Sequence, residues 1–243
     1  MHIIEKIAKR NSSPSGDNSI CIVCIGDSVT QGCFELVKEQ NGKINARYAP
    51  GSSYVRKLQD EIYRLYPVAS VNVINSGLAG DNSTKALERF DRDVVRYSPD
   101  LVVVGLGLND ALAPNIEQGC VDYVASMTRI FEKVADINAE CIYLTPNMMC
   151  KYVNANIPEG PVTTVATTAA KRQNDGVLTH YIDCVKTAAG RLDVHVADAY
   201  RQWQIYAENG VDTTQMLANY INHPHEELHQ VFAQKILNTM FED

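Results

Sequence analysis

The sequence contains no apolar run that approaches the roughly 18 residues needed to span a bilayer. It also has no basic flank followed by an apolar stretch, the pattern that begins a signal peptide. Long Lys/Arg clusters are absent, and the formal net charge of the 243 residues is −7. Negative charge without a local basic cluster disfavours a nucleic-acid or anionic-membrane surface. These absences predict no membrane span and no nucleic-acid partner, and they favour a neutral small molecule.

Cysteine is present in an odd number, seven, and mostly within apolar stretches such as those around Cys21, Cys24 and Cys141. Such a set argues against an extracellular disulfide framework. We therefore expect reduced thiols and a cytoplasmic protein. Cys21 and Cys24 form a C-x-x-C, but they lie inside a β-branched run and not at a helix start, so core packing is their expected role.

Five short apolar runs predict strands that are covered on both faces, and segments with helical spacing alternate with them. The strands are expected at 20–25, 71–74, 101–105, 141–145 and 194–197, and the helices at 53–66, 83–95, 121–137, 166–189 and 226–240. This alternation requires crossover connections, and so predicts a three-layer α/β/α fold around a parallel sheet. No linker or repeat divides the chain, so we expect a polar lead-in over residues 1–18 and a single domain over 19–243.

Small and polar residues follow three of the predicted strands. The first strand leads into Gly26-Asp27-Ser28, the second into the segment 75–81, which contains Gly80, and the third into the segment 107–110, which contains Asn109. In open parallel sheets the ligand crevice lies at the carboxyl ends of the strands. A hydroxyl, a glycine N–H and an Asn amide at that edge are the groups that acyl transfer requires. The neighbouring Asp27 and Asp110 are expected to fix turns and backbone N–H groups.

A serine nucleophile needs a base, and His223 is the best placed of the six histidines. It opens the segment "HPHEELHQVFAQKI", in which Pro224 pre-sets the backbone ahead of a helix. This places the imidazole on a loop at a helix mouth. Other histidines lie at the terminus, in a helical segment and in the fifth predicted strand: His2, His180 and His195.

The four segments, in this order, resemble the motif blocks of the SGNH hydrolases, also called the GDSL-like lipase and esterase family. "GDSVTQG" is similar to the first block, "NSGLAGDNS" to the second, "GLND" to the third and "HP" to the last. The resemblance implies a flavodoxin-like five-stranded parallel sheet and a carboxylic ester hydrolase without a cofactor. It also implies Ser28 as nucleophile, His223 as general base, and Gly80 and Asn109 as oxyanion donors together with the Ser28 backbone.

The last block departs from the family pattern, which usually reads Asp-x-x-His-Pro, because Tyr220 stands three residues before His223. Either a backbone carbonyl or the amide of Asn219 or Asn222 then orients the imidazole, giving a Ser-His dyad, or the enzyme is slower than its relatives. An Asn is not equivalent to the usual Asp, since that exchange in a serine protease costs about ten thousandfold in rate.

The resemblance implies an acyl-enzyme mechanism on a small-molecule ester. We expect short acyl esters, O-acetylated carbohydrate above all, because the chain has no conspicuous apolar lid and residues 147–168 are rich in Asn and Thr. A long loop is predicted over 147–165. The alternatives are a lysophospholipase or thioesterase, a metal-assisted hydrolase using His223, His225 and His229, and an inactive ligand binder. The oligomeric state stays open, a homo-oligomer included.

Overall fold

The computed structural model describes residues 1–13, 15, 19–39 and 42–242. Within these residues the strands are β1 (Ile20–Gly26), β2 (Cys33–Lys38), β3 (Ile44–Tyr48), β4 (Val71–Gly77), β5 (Leu101–Gly105), β6 (Glu140–Leu144) and β7 (His195–Ala197). Five of them form a parallel sheet in the order β4-β1-β5-β6-β7, and β2 and β3 form a separate antiparallel pair. The predicted flavodoxin-like five-stranded parallel sheet is confirmed.

The described helices are α1 (His2–Ser12), α2 (Ser28–Gln31), α3 (Tyr54–Leu65), α4 (Ser83–Glu88), α5 (Phe90–Asp93), α6 (Ile116–Asp136), α7 (Pro161–Asn174), α8 (Val177–Arg191), α9 (Ala199–Glu208) and α10 (His229–Phe241). Short 3₁₀ turns occur at Pro50–Ser52, Val95–Tyr97, Asp110–Leu112 and Glu226–Leu228. Along this part of the chain, none of the helices combines the length and the apolar character that crossing a bilayer requires.

Burial explains why the strands follow the apolar runs so closely. Val102, Val103 and Val104 of β5 have no exposed surface, because helices cover both faces of the sheet. Burying one such side chain contributes about 1.5–3 kcal/mol. The strands and the inward faces of the helices form one cluster of buried side chains.

Several predicted boundaries need correction. The helix expected over 166–189 is two helices, α7 and α8, since Gly176 between them takes a left-handed φ of 75°. Because α7 begins at Pro161, the loop predicted over 147–165 ends earlier. The helix expected over 83–95 divides at Arg89 into α4 and α5.

The predicted polar lead-in is largely a packed helix. Ile3 and Ile7 of α1 are four residues apart on one helical face, and both are fully buried in the core. Residues 14 and 16–18 of that segment lie outside the described residues. The hairpin of β2 and β3 was not predicted either.

Candidate active site

Three glycines lie side by side at the carboxyl edge of the sheet, where Gly26 of β1 pairs with Gly77 of β4 and with Gly105 of β5. A Cβ on Gly26 would lie 2.0 Å from Thr30 Oγ1, and one on Gly77 would lie 2.2 Å from Gln31 N. Because no side chains stand there, α2 packs directly over the ends of the strands.

The first residue of α2 is Ser28, so the serine lies immediately beyond the end of β1. Asp27 caps this helix, and its carboxylate accepts a hydrogen bond from the Val29 N–H at 2.9 Å. The cap fixes the turn that presents the hydroxyl. Asp27 therefore has the predicted turn-fixing role.

Ser28 and His223, 195 residues apart in the chain, are joined in the structure. Ser28 Oγ lies 2.9 Å from His223 Nε2, and His223 Nδ1 lies 3.1 Å from the carbonyl oxygen of Phe34. A carbonyl only accepts hydrogen bonds, so Nδ1 carries the proton and Nε2 offers its lone pair to the serine hydroxyl. Of the alternatives left open by the sequence, the structure selects the backbone carbonyl.

Asn219 organises the loop that holds His223 without touching its ring. Its Oδ1 accepts hydrogen bonds from the N–H groups of Ile221, Asn222 and His223, each at 2.9 Å, and its Nδ2 donates to Asn222 Oδ1. Tyr220 takes a left-handed φ of 56° within this turn. Both amides proposed as orienting groups therefore build the loop, and Tyr220 supplies no carboxylate.

Burial decides the protonation of the base. His223 is 9% exposed, and this burial lowers its pKa from 6.5 to about 4, although the hydrogen bond to Phe34 acts in the opposite direction. The imidazole is therefore neutral at neutral pH, the form that can take a proton from Ser28.

Gly80 and Asn109 are brought together beside α2. Asn109 Nδ2 donates to the carbonyl oxygen of Asp81 at 2.7 Å, and the Ala79 N–H donates to Gln31 Oε1 at 2.8 Å. Gly80 takes a left-handed φ of 78° in the turn that the Asp81 N–H closes onto Leu78 O. Among the described residues no acceptor binds the Gly80 N–H. An amide nitrogen has two N–H donors, so Asn109 retains one beyond its bond to Asp81.

Arg89 ties this turn to the sheet, and the sequence did not reveal it. Its guanidinium donates to the carbonyl oxygens of Gly26 at 3.0 Å and Ser76 at 2.8 Å, and to the carboxylate of Asp81 at 2.6 Å. It is 8% exposed, so these bonds form away from water. No spacing in the sequence signals the role, because Arg89 lies where a continuous helix was expected.

Asp110, the last residue of the third segment, is hydrogen-bonded to the first residue of α4. Its Oδ1 accepts from the Ser83 N–H at 2.9 Å and from Ser83 Oγ at 2.6 Å, as expected of a turn-fixing residue. Burial raises the pKa of Asp110, and burial likewise raises the pKa of Asp27 to about 7. Neither carboxylate contacts His223.

The three histidines of the metal alternative do not converge. His229 Nδ1 accepts from the Tyr54 N–H at 3.0 Å, and its ring packs against Phe34 with centroids 4.9 Å apart. Burial lowers the pKa of His229 to about 3. His225 precedes a 3₁₀ turn and His229 begins α10, so the two do not share one helix face.

The loop after β6 contacts the loop that carries His223. Asn147 Nδ2 donates to the carbonyl oxygens of Met148 at 2.8 Å and Asn222 at 2.9 Å. The Asn154 side chain caps its own turn by accepting from the Asn156 N–H. Asn147 Nδ2 and Asn154 Oδ1 are thus hydrogen-bonded within the chain. A cavity of about 10 Å³ lies against Asp27, Val29 and Asn147, among others, which is room for about one water molecule.

Comparison with known proteins identifies the family. A sequence model of the GDSL-like Lipase/Acylhydrolase family matches residues 24–231, which include Ser28, Gly80, Asn109 and His223. The chain belongs to this family. The membership predicted from the four motifs is confirmed, and carboxylic ester hydrolysis is the family's class of reaction.

Individual relatives share the fold and part of the sequence. An acetylxylan esterase of Geobacillus stearothermophilus is 30% identical over 89 residues, a match that spans 37% of this chain and 39% of that enzyme. A solved variant of an acetyl-xylooligosaccharide esterase from the same genus has a TM-score of 0.68 at 19% identity, covering 92% of this chain and 95% of that one. An alpha/beta hydrolase enzyme from the metagenome of Lake Arreo, Spain, has a TM-score of 0.66 at 21% identity, covering 92% and 97%.

Proposed function

We propose that the protein hydrolyses short acyl esters, acetyl esters of carbohydrate above all, with Ser28 as nucleophile and His223 as general base. The observation that carries the proposal is the 2.9 Å contact between Ser28 Oγ and His223 Nε2, with Nδ1 held at a backbone carbonyl. This geometry leaves the imidazole lone pair directed at the hydroxyl. Family membership supports the same reaction class.

In the first step His223 Nε2 takes the Ser28 proton while Oγ attacks the ester carbonyl carbon. The carbonyl oxygen becomes an oxyanion, which the N–H groups of Ser28 and Gly80 and the amide of Asn109 stabilise. The intermediate then collapses, and the imidazolium gives its proton to the leaving alkoxide. Water, deprotonated by His223, attacks the acyl-serine, the acyl–Oγ bond breaks to release the carboxylic acid, and the imidazolium returns its proton to Ser28 Oγ.

Catalytic mutants of the Geobacillus acetylxylan esterase replace a serine, an aspartate and a histidine, the last two standing three positions apart. In this chain Tyr220 stands three positions before His223. We infer that the chain works as a dyad, in which the Phe34 carbonyl fixes the tautomer and orientation of the base.

The acyl preference rests on the relatives. Two of the similar proteins act on acetylated xylan or xylo-oligosaccharide. Their substrates favour an acetyl esterase over a lysophospholipase or thioesterase.

The test is hydrolysis of p-nitrophenyl esters from acetate to octanoate, together with release of acetate from acetylated xylo-oligosaccharides. Ser28→Ala and His223→Ala should each lose at least about a thousandfold in kcat. His225→Ala is the matched control, since its ring lies two residues from the base and is only partly buried. Full turnover by Ser28→Ala would refute the mechanism, and an optimum at octanoate would refute the acyl preference.

An inactive ligand binder is separated by covalent labelling. An organophosphonate that modifies activated serines should label the wild type at Ser28 and leave His223→Ala unlabelled. A wild type that neither reacts with the label nor turns over any ester would favour the binder.

A further inference from the structure

A cluster of three metal-ligand side chains lies between α6 and α8, on the helical layer and not at the strand ends. Cys120 belongs to α6, and His180 and Cys184 lie four residues apart on one face of α8. One potential ligand atom from each lies within 4.8 Å of the other two. Cys184 Sγ lies 3.8 Å from His180 Nε2 and 3.9 Å from Nδ1.

The helices are packed tightly enough to hold this cluster in place. A Cβ on Gly119 would lie 2.6 Å from the Tyr181 hydroxyl oxygen, so the missing side chain permits the approach of α8 to α6. The Tyr181 hydroxyl donates to the carbonyl oxygen of Ile116 at 2.6 Å, and its ring stacks on that of Tyr123 with centroids 5.9 Å apart. The two helices therefore form a fixed frame for ligands that come from both.

The three side chains form no hydrogen bond outside their own cluster in the part of the chain that the structure describes. Cys120 is 9% exposed, Cys184 is half-buried and His180 is exposed. The cluster thus combines a buried thiol with a solvent-facing imidazole through which an ion can enter.

We propose that Cys120, His180 and Cys184 bind a zinc-like divalent ion that staples α6 to α8. Thiolate and imidazole are the ligands that Zn²⁺ prefers. In a tetrahedral site with Zn–S about 2.3 Å and Zn–N about 2.0–2.1 Å, ligand atoms are about 3.5–3.8 Å apart. The Cys184–His180 separation of 3.8 Å lies at the upper end of this range, and the other two separations are no longer than 4.8 Å.

Binding deprotonates both thiols, so two protons leave as one divalent ion enters, and the two thiolates balance its charge. The imidazole binds as a neutral ligand, and water takes the fourth position. Both helices also pack on the 3₁₀ turn Asp110–Leu112, which directly follows Asn109. The ion therefore stabilises the layer behind the catalytic edge and takes no part in ester hydrolysis.

The experiment titrates chelator-stripped, reduced full-length protein with Co²⁺ alone and then displaces the cobalt with Zn²⁺. We expect thiolate-to-cobalt charge-transfer absorption, tetrahedral visible bands and a stoichiometry of one ion per chain. Free Zn²⁺ at about 100 times its Kd should raise the Tm by about 5–10 °C. Absence of the charge-transfer band and of the Tm shift would overturn the proposal.

His180→Ala carries the mutational test, because an exposed side chain can be removed without disturbing the core. It should weaken Co²⁺ binding at least about 10- to 100-fold and reduce the Tm shift at the same free Zn²⁺ concentration to about half or less, while esterase activity at 25 °C stays unchanged. Two matched controls should bind Co²⁺ as the wild type does. His2→Ala removes an exposed histidine that lies beside Glu5, and Cys21→Ser replaces a half-buried thiol on β1. Equal binding by His180→Ala would refute the site.

Discussion

The acid limb of the pH–activity profile tests the environment of the base directly. Burial lowers the pKa of His223 from 6.5 to about 4, and no carboxylate in contact with the ring raises it again. In the proposed mechanism the free enzyme needs the neutral imidazole to accept the Ser28 proton. At pH 5 a group with a pKa of about 4 is about nine-tenths neutral, whereas one with a pKa of 6.5 is only about 3% neutral. The structure therefore predicts about thirtyfold more retained activity at pH 5 than an ordinary histidine would give.

The assay is kcat/KM for p-nitrophenyl acetate between pH 4 and 8, read at a wavelength where both forms of p-nitrophenol absorb equally. Because kcat/KM reports the free enzyme, its acid limb should have a midpoint well below pH 6. A midpoint at pH 6.5 or above would refute the reasoning.

Asp27 is the confounding group, since its pKa is raised by burial to about 7 and it adjoins Ser28, the proposed nucleophile. Asp27→Asn keeps an acceptor for the Val29 N–H and removes that titration. The low acid limb should persist in this variant. If the limb moved with the substitution, Asp27 and not His223 would set the profile.

Folding must be checked over the same range. A buried histidine has a lower pKa in the folded protein than the value of about 6.5 in the unfolded chain, so below pH 6.5 the unfolded state binds more protons. The free energy of unfolding therefore falls as the pH drops from 6.5 towards the folded pKa. His223 and His229, with pKa values lowered to about 4 and about 3, both act in this direction. Circular dichroism at each pH, and recovery of full activity on return to pH 7, separate titration from unfolding.

Three further substitutions test the loops around the dyad. Asn219→Ala removes the acceptor for three backbone N–H groups, so the free energy of unfolding measured by chemical denaturation should fall by about 2–4 kcal/mol. Asn219→Asp keeps that oxygen and should lose less. Equal losses in the two variants would contradict the role of the Asn219 oxygen in holding the loop. In Arg89→Lys the lysine cannot reach both carbonyls and Asp81 at once, so kcat should fall about 10- to 100-fold with little change in KM. The control Arg92→Lys, at an exposed position, should keep the wild-type kcat. An unchanged kcat in Arg89→Lys would show that Arg89 does not position the turn that contains Gly80. Gly80 has a φ of 78° and nothing lies within 4 Å of an added Cβ, so Gly80→Ala should lose about 1–2 kcal/mol of stability and also lose kcat. Gly210 has a φ of 84° and equally open space, so Gly210→Ala should lose the same stability and keep its kcat. Equal kcat in the two variants would argue against Gly80 as an oxyanion donor.

Hydrophobic runs made the sheet predictable because strands covered on both faces must be apolar throughout. The edge of the sheet was predictable for the opposite reason, since the polar residues at 26–28, 75–81 and 107–110 interrupt those runs abruptly. Boundaries set by backbone conformation were missed. Gly176 divides α7 from α8 because its φ is left-handed. The helical spacing of apolar residues continues across Gly176, so the sequence pattern did not show the break.

The group that orients His223 could not be predicted, because a main-chain carbonyl leaves no trace in residue identity. Phe34 lies on β2, whose sequence is CFELVK. Apolar and polar residues do not alternate clearly in this short strand, and no strong turn signal marks its ends. The cluster of Cys120, His180 and Cys184 escaped for a related reason. Cys120 lies 60 residues before His180 in the chain, and only the packing of two helices brings it to the His180–Cys184 pair.

Replacing a carboxylate by a carbonyl changes what the base can do, not only how it is held. A carboxylate stabilises the imidazolium that forms in the transition state, and so raises the basicity of Nε2. The Phe34 carbonyl fixes the same tautomer but brings only a dipole, so in the proposed mechanism the proton transfer from Ser28 has less driving force. Burial keeps His223 unprotonated in mild acid, and the hydrogen bond to Phe34 does not reverse this, whereas a histidine paired with a carboxylate is already charged there. A lower maximal rate and a wider acidic range should therefore occur together, because both follow from a buried imidazole without a carboxylate, and an enzyme that showed the first without the second would have a different group at Nδ1.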